Sequence, residues 1–203
     1  MTITINDIAE KAGCSRSTVS RVLNNKGYVN EETRKRVEKV IKEYEYSPSA
    51  TARSLSKKDS NTIGVIIPEA DNDFFGEILK GISQVVDQND MTLIFCDTDN
   101  NMGKQERALN MLKGQRVKGL ILTPVNDYSD KESANRVRRQ LDNLMIPVVI
   151  LDRQMEYSQW DGVFFENFRG AYAGTEVLIK EGHKKIGIIT GDLNLTIGRD
   201  RYR

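Results

Sequence analysis

A chain of 203 residues exceeds the usual span of one domain, roughly 100–150 residues, so a small module joined to a larger one is expected. Its 38% apolar content can build a core, yet no run approaches the ~18 apolar residues of a membrane span. Met1 to Asp7 lacks the basic start and apolar stretch of a signal peptide, which points to the cytoplasm.

The formal net charge of +1 conceals a division along the chain. Residues 1–58 hold 12 Lys/Arg against 7 Asp/Glu (net +5), and residues 59–203 hold 18 against 22 (net −4). A basic head on an acidic body suits a polyanionic partner at the N-terminal end only, although solvated surfaces without a partner show similar splits. Cys14 and Cys96 lie far apart within separate apolar patterns and read as buried, reduced thiols; no metal site or cofactor is implied.

The first predicted helix covers Ile5 to Ala12, with Ile5, Ile8, Ala9 and Ala12 on one face and Gly13 at the turn. Ser15 is the expected N-cap of a second helix that turns Val19, Val22 and Leu23 inward and leaves Arg16, Ser17, Ser20 and Arg21 outside. Asn24-Asn25-Lys26-Gly27 ends it, and a third helix follows from Glu31 to Tyr44. Residues 49–56 predict about two helical turns with Leu55 as the only large apolar side chain, too short to be stable unless something packs against them.

From Thr62 onward, short β-branched runs alternate with amphipathic helices. Strands are expected at 63–67, 92–96, 118–122, 147–151, 162–165 and 185–190, with helices at 74–87, 104–113, 136–144 and 170–181. Such alternation indicates a doubly wound α/β domain, a parallel sheet covered on both faces. Ligands bind such sheets beyond the carboxyl ends of the strands, here Glu69 to Phe75, Asp97 to Asn101, Thr123 to Asp127, and Asp152-Arg153.

The run Ile5-Asn6-Asp7-Ile8-Ala9-Glu10-Lys11-Ala12-Gly13-Cys14-Ser15-Arg16-Ser17-Thr18-Val19-Ser20-Arg21-Val22-Leu23-Asn24 closely resembles the helix-turn-helix headpiece of the lactose/galactose repressor family. Tyr46-Ser47-Pro48-Ser49-Ala50-Thr51-Ala52-Arg53-Ser54-Leu55 resembles its hinge helix, and Glu181-Gly182-His183-Lys184-Lys185-Ile186-Gly187 a motif of its effector domain. The resemblance implies a headpiece at 1–46, a hinge and linker at 47–60, the first lobe of a periplasmic-binding-protein-like domain at 61–161, and the start of a second lobe at 162–203. It implies a transcriptional regulator, in most such proteins a repressor, that binds a palindromic double-stranded DNA operator as a homodimer and senses a small polar effector such as a sugar.

Within that resemblance Arg16, Ser17 and Arg21 match base-reading positions, and arginine can donate two hydrogen bonds to guanine in the major groove. Ser15, Thr18, Ser20, Asn24 and Asn25 match positions for capping or phosphate contact, which orient the head without reading sequence. Leu55 matches the minor-groove wedge; Ser56 stands where several relatives carry a basic residue. Phe74, Phe75, Asp152, Arg153, Asn167 and Arg201 match effector-contact positions, where aromatic faces, a carboxylate and guanidinium groups suit a sugar. Each has a plainer alternative: a solvated arginine on a polar face, a phenylalanine anchoring its helix, an aspartate capping a loop.

The chain ends at Arg201-Tyr202-Arg203, within what resembles a loop leading to a helix. Most of the second lobe and the returning strand of the first are therefore expected to be missing, by natural truncation or because the sequence is a fragment. No Gly-rich phosphate loop, HExxH or nucleophile with a histidine partner is present, so no enzyme is expected, and His183 reads as a turn residue before a strand. The alternative from another class is a sugar-binding protein without DNA function, which the basic head opposes.

Overall fold

The computed structural model describes residues 3–47, 60–126, 131–155 and 159–203, which fall into two compact units divided between Lys58 and Asp59. The expected hinge residues 49–56, Leu55 among them, lie outside the described residues.

The first unit is three helices: α1 (Ile5–Lys11), α2 (Arg16–Asn24) and α3 (Glu31–Glu43). Thr4 starts α1 through a reciprocal capping box. Its backbone N–H donates to Asp7 Oδ2 (2.7 Å), and the Asp7 N–H donates to Thr4 Oγ1 (3.4 Å). Gly13, at φ +60°, makes the turn into α2, a left-handed conformation that costs glycine nothing. Ile8, Val19 and Val37, one from each helix, are fully buried and meet in the core with Ala9, Ala12 and Val22. So small a core has little stability in reserve, and the caps count for a larger share of it.

The second unit holds a five-stranded parallel sheet of order β2-β1-β3-β4-β5: β1 (Thr62–Ile67), β2 (Thr92–Asp97), β3 (Gly119–Leu122), β4 (Val148–Leu151) and β5 (Gly162–Val163). The connections are α4 (Asp73–Gln88), α5 (Met102–Gln115) and α6 (Lys131–Asp142). Alternation along the strands decides the two faces. Ile66, Leu120, Leu122, Val148 and Ile150 pack with Leu109 and Leu112 of α5 and Val137 and Leu141 of α6, while Val65, Ile67 and Ile121 pack with Phe75, Ile78 and Ile82 of α4. Gly64 lets α5 approach closely, since a Cβ there would lie 2.8 Å from Leu112 Cδ1.

Three expectations are corrected. The run 185–190 is not a strand: no described strand lies beside it, Ile189 is fully exposed, and without ladder partners a β-branched run has nothing to pair with. The C-terminal residues form a helix, α8 (Thr196–Tyr202), where a loop was expected, and it packs against α7 (Asn167–Lys180). Strand β5 pairs in parallel with β4 (Ile150 opposite Gly162), so the first sheet runs past residue 161. Helix α7 buries none of its residues and leaves Tyr172, Val177 and Ile179 exposed; Gly182, at φ +88°, and His183 form the turn that ends it. Both cysteines are free and half-buried, and burial pushes both thiols up, which keeps them protonated at neutral pH. Among the described residues no helix is long and apolar enough to cross a membrane.

Candidate nucleic-acid interface and ligand cleft

Helix α2 presents two kinds of polar residue. The first kind is committed to the protein. Ser15 is the N-cap: its Oγ accepts from the Thr18 N–H (3.2 Å) and lies 2.7 Å from Ser17 Oγ and 2.9 Å from Thr18 Oγ1. Asn24 Nδ2 donates to the Ser20 carbonyl (2.8 Å). Asn25 ends the helix in the left-handed region (φ 49°), where its Oδ1 accepts from Arg34 Nη1 of α3 (3.0 Å).

The second kind is Arg16 and Arg21. Both are exposed, and among the described residues neither guanidinium takes part in a hydrogen bond or an ion pair. With Ser17 also exposed, and Ser20 and Thr18 half-buried, the outward face of α2 is polar and unobstructed, backed by buried Val19 and Val22. Ser15→Ala is expected to destabilise the headpiece by about 0.5–2 kcal/mol, the usual cost of a lost N-cap, seen as faster amide exchange at Thr18 and along the first turn of α2.

The second site follows from strand order. Because β1 lies between β2 and β3, the connections leave it in opposite directions, and a crevice opens at the carboxyl ends of the strands. A cleft of about 800 Å³ lies there, and Phe74, Phe75, Asp152, Arg153 and Arg201 all line it. Asn167 does not line it, yet its Oδ1 accepts from Arg201 Nε (2.7 Å) and so holds a lining residue. Phe74 is partly exposed and packs edge-on between Phe75 and Phe165 (centroids at 5.0 and 5.1 Å), whereas Phe75 is buried beneath it in the core. Phe75 therefore anchors α4, and Phe74 offers its ring to the cleft.

Arg153 is buried and ties three loops together. Its Nη1 donates to Asn100 Oδ1 (2.7 Å), the Val125 carbonyl (2.9 Å) and the Pro124 carbonyl (3.2 Å). Asn100 in turn donates to Glu69, whose other oxygen accepts from Asn72 Nδ2 (3.1 Å). Glu69, Asn72 and Asn100 were not singled out in the sequence, although all three sit in or beside the polar strand-end segments. Position alone marked them, since nothing in residue type tells a network asparagine from a solvated one.

Asp152 is buried at φ +63°, and its Oδ1 has no hydrogen-bond partner; neither has Arg153 Nε. Burial pushes the Asp152 carboxyl above its ordinary 3.8, against the opposing pull of Arg153 and Arg201. Folding thus favours the protonated form: the stability gained from it is present below 3.8 and lost as pH rises through the folded-state value. Asn tolerates the left-handed backbone, so Asp152→Asn is expected to melt higher than the parent at neutral pH, with the difference vanishing on acidification below 3.8. Thermal unfolding across that range checks it.

Both units match known proteins. Residues 4–49 match the family described as bacterial regulatory proteins, lacI family. Residues 60–202 match periplasmic binding proteins and sugar binding domain of LacI family. The HTH-type transcriptional repressor PurR of Aliivibrio salmonicida is 35% identical over 198 residues, covering 98% of this chain and 58% of that protein. The ribose operon repressor of Halalkalibacterium halodurans is 38% identical over 203 residues, covering 98% of this chain and 57% of that protein. The crystal structure of the Lac repressor dimer bound to operator and the anti-inducer ONPF superposes with a TM-score of 0.84 at 29% identity, over 100% of this chain and 60% of that one. The chain therefore spans somewhat more than half the length of the relatives it matches. With family models matching both the helical head and the α/β body, the chain belongs to the LacI family of bacterial regulatory proteins.

Proposed function

We propose that this chain carries the operator-reading head and part of the effector-sensing body of a cytoplasmic transcriptional repressor. The observation that carries the reading is the pair of unengaged guanidiniums, Arg16 and Arg21, on the outward face of a helix capped at both ends. A helix of this kind fits the major groove, where Arg16, Ser17 and Arg21 read base edges, Thr18 and Ser20 set its register on the phosphates, and Ser15, Asn24 and Asn25 fix its ends. One head makes too few base contacts for useful specificity. The protein therefore acts as a homodimer on a two-fold symmetric double-stranded operator, with Leu55 of each copy wedged into the minor groove. The cleft beyond the sheet takes a small polar effector of the sugar type, through Phe74, Asp152, Arg153 and Arg201, with Asn167 holding Arg201. Phe75 supports the floor. The relatives named above are repressors, not enzymes, and the reading requires no cofactor.

Selection of binding sites from random duplex DNA tests the reading. A palindromic half-site should emerge, bound with an affinity that falls steeply with salt. Recovery of unselected sequence, or equal affinity for operator and random duplex, would overturn it.

A further inference from the structure

The charges around the cleft are unequal. Three carboxylates, Glu69, Asp152 and Asp192, line it against two guanidiniums, Arg153 and Arg201. Each guanidinium is already partly committed: Arg153 Nη1 to three protein oxygens, and Arg201 Nε to Asn167. Glu69 is held in place by two asparagine amides, and Asp192 Oδ1 accepts from the Asn194 N–H (2.8 Å) and Nδ2 (2.9 Å). At the bottom, two more than nine-tenths buried neighbours leave an acceptor and a donor unused, Asp152 Oδ1 and Arg153 Nε.

We infer that the cleft selects an uncharged, hydroxyl-rich ligand and discriminates against the phosphate ester of the same ligand. A hydroxyl both donates and accepts, so a polyol can donate to the Asp152 carboxylate and accept from the Arg153 guanidinium. A phosphate carries about −1.5 to −2 charge at neutral pH and offers almost only acceptors, so it adds charge where carboxylates already outnumber cations and, in place of the hydroxyl at Asp152, leaves that carboxylate without a donor. The ring face of Phe74 suits the apolar side of a sugar. This inference rests on the effector reading of the cleft and goes beyond it in excluding a chemical class.

The test is a titration followed by amide shifts of Asn100, Arg153 and Asp192, using D-ribose with D-ribose 5-phosphate, D-glucose with D-glucose 6-phosphate, and inorganic phosphate alone. At least one neutral sugar should bind saturably, and its ester should bind about tenfold more weakly or worse, a gap that narrows in Asp192→Asn. An ester or inorganic phosphate that binds as tightly as the neutral sugar overturns the inference and leaves the effector reading standing. A gap unchanged by Asp192→Asn overturns the electrostatic cause and with it the inference. Absence of binding by every probe overturns the effector reading itself.

Discussion

Arg21→Ala is expected to weaken operator binding by about 1–3 kcal/mol and to relax preference at one base position of each half-site, leaving non-specific binding nearly unchanged. The expectation follows from how little else Arg21 does. It is exposed in the last turn of α2, and among the described residues no carboxylate or carbonyl engages its guanidinium, so its removal breaks no bond within the headpiece. Its stem lies over the loop that follows, where a Cβ on Gly27 would come 3.6 Å from Arg21 Cδ, which limits the directions the side chain samples before DNA arrives. Headpiece stability should therefore stay within about 0.5 kcal/mol of the parent, as for a surface substitution. Competition binding against operators varied one base pair at a time reads the result. A uniform loss across all sequences, with a shallower salt slope, would make Arg21 a phosphate contact instead.

The residues of α2 also show where sequence reading works and where it stops. Periodicity separates buried Val19 and Val22 from exposed Arg16 and Arg21, because helix geometry alone fixes which side faces the core. The cap at Ser15 is equally legible, and Thr4 and Asp7 stand at capping-box spacing ahead of α1. In the second unit the strands could be placed, but their order could not, since pairing depends on contacts between distant segments; Ile63 meets both Leu93 and Gly119. The run 185–190 makes the same point in reverse, for its β-branched residues carry strand propensity without a neighbour to express it. Phe74 and Phe75 are indistinguishable as letters, and only the fold shows that, of two rings lining the cleft, Phe75 is buried in the core and Phe74 is partly exposed.

Arg153 is the sharpest case. As a letter it reads as a ligand contact; in place, it is first a clamp on the loops after β2 and β3. Arg153→Met, which keeps an unbranched apolar stem and removes the guanidinium, is expected to destabilise the second unit by about 3–5 kcal/mol, the usual cost of removing one partner from a buried charged network. The substitution leaves the Pro124 and Val125 carbonyls and Asn100 Oδ1 without their donor, and leaves the buried Asp152 carboxylate without its adjacent cation. Arg153→Lys keeps the charge but ends one bond short of the Nη1 position that reaches the three oxygens, so an intermediate loss is expected. Trp160, the only tryptophan, packs against the main core of this unit, so its fluorescence in urea follows the relevant transition and not that of the headpiece. A loss below about 1 kcal/mol would mean that the desolvation of the guanidinium cancels its bonds, and Arg153 would return to being a ligand contact alone. At the expected size, the lining of the cleft and loop order fail together in the mutant, because the side chain that lines the cleft is the one that ties the surrounding loops together.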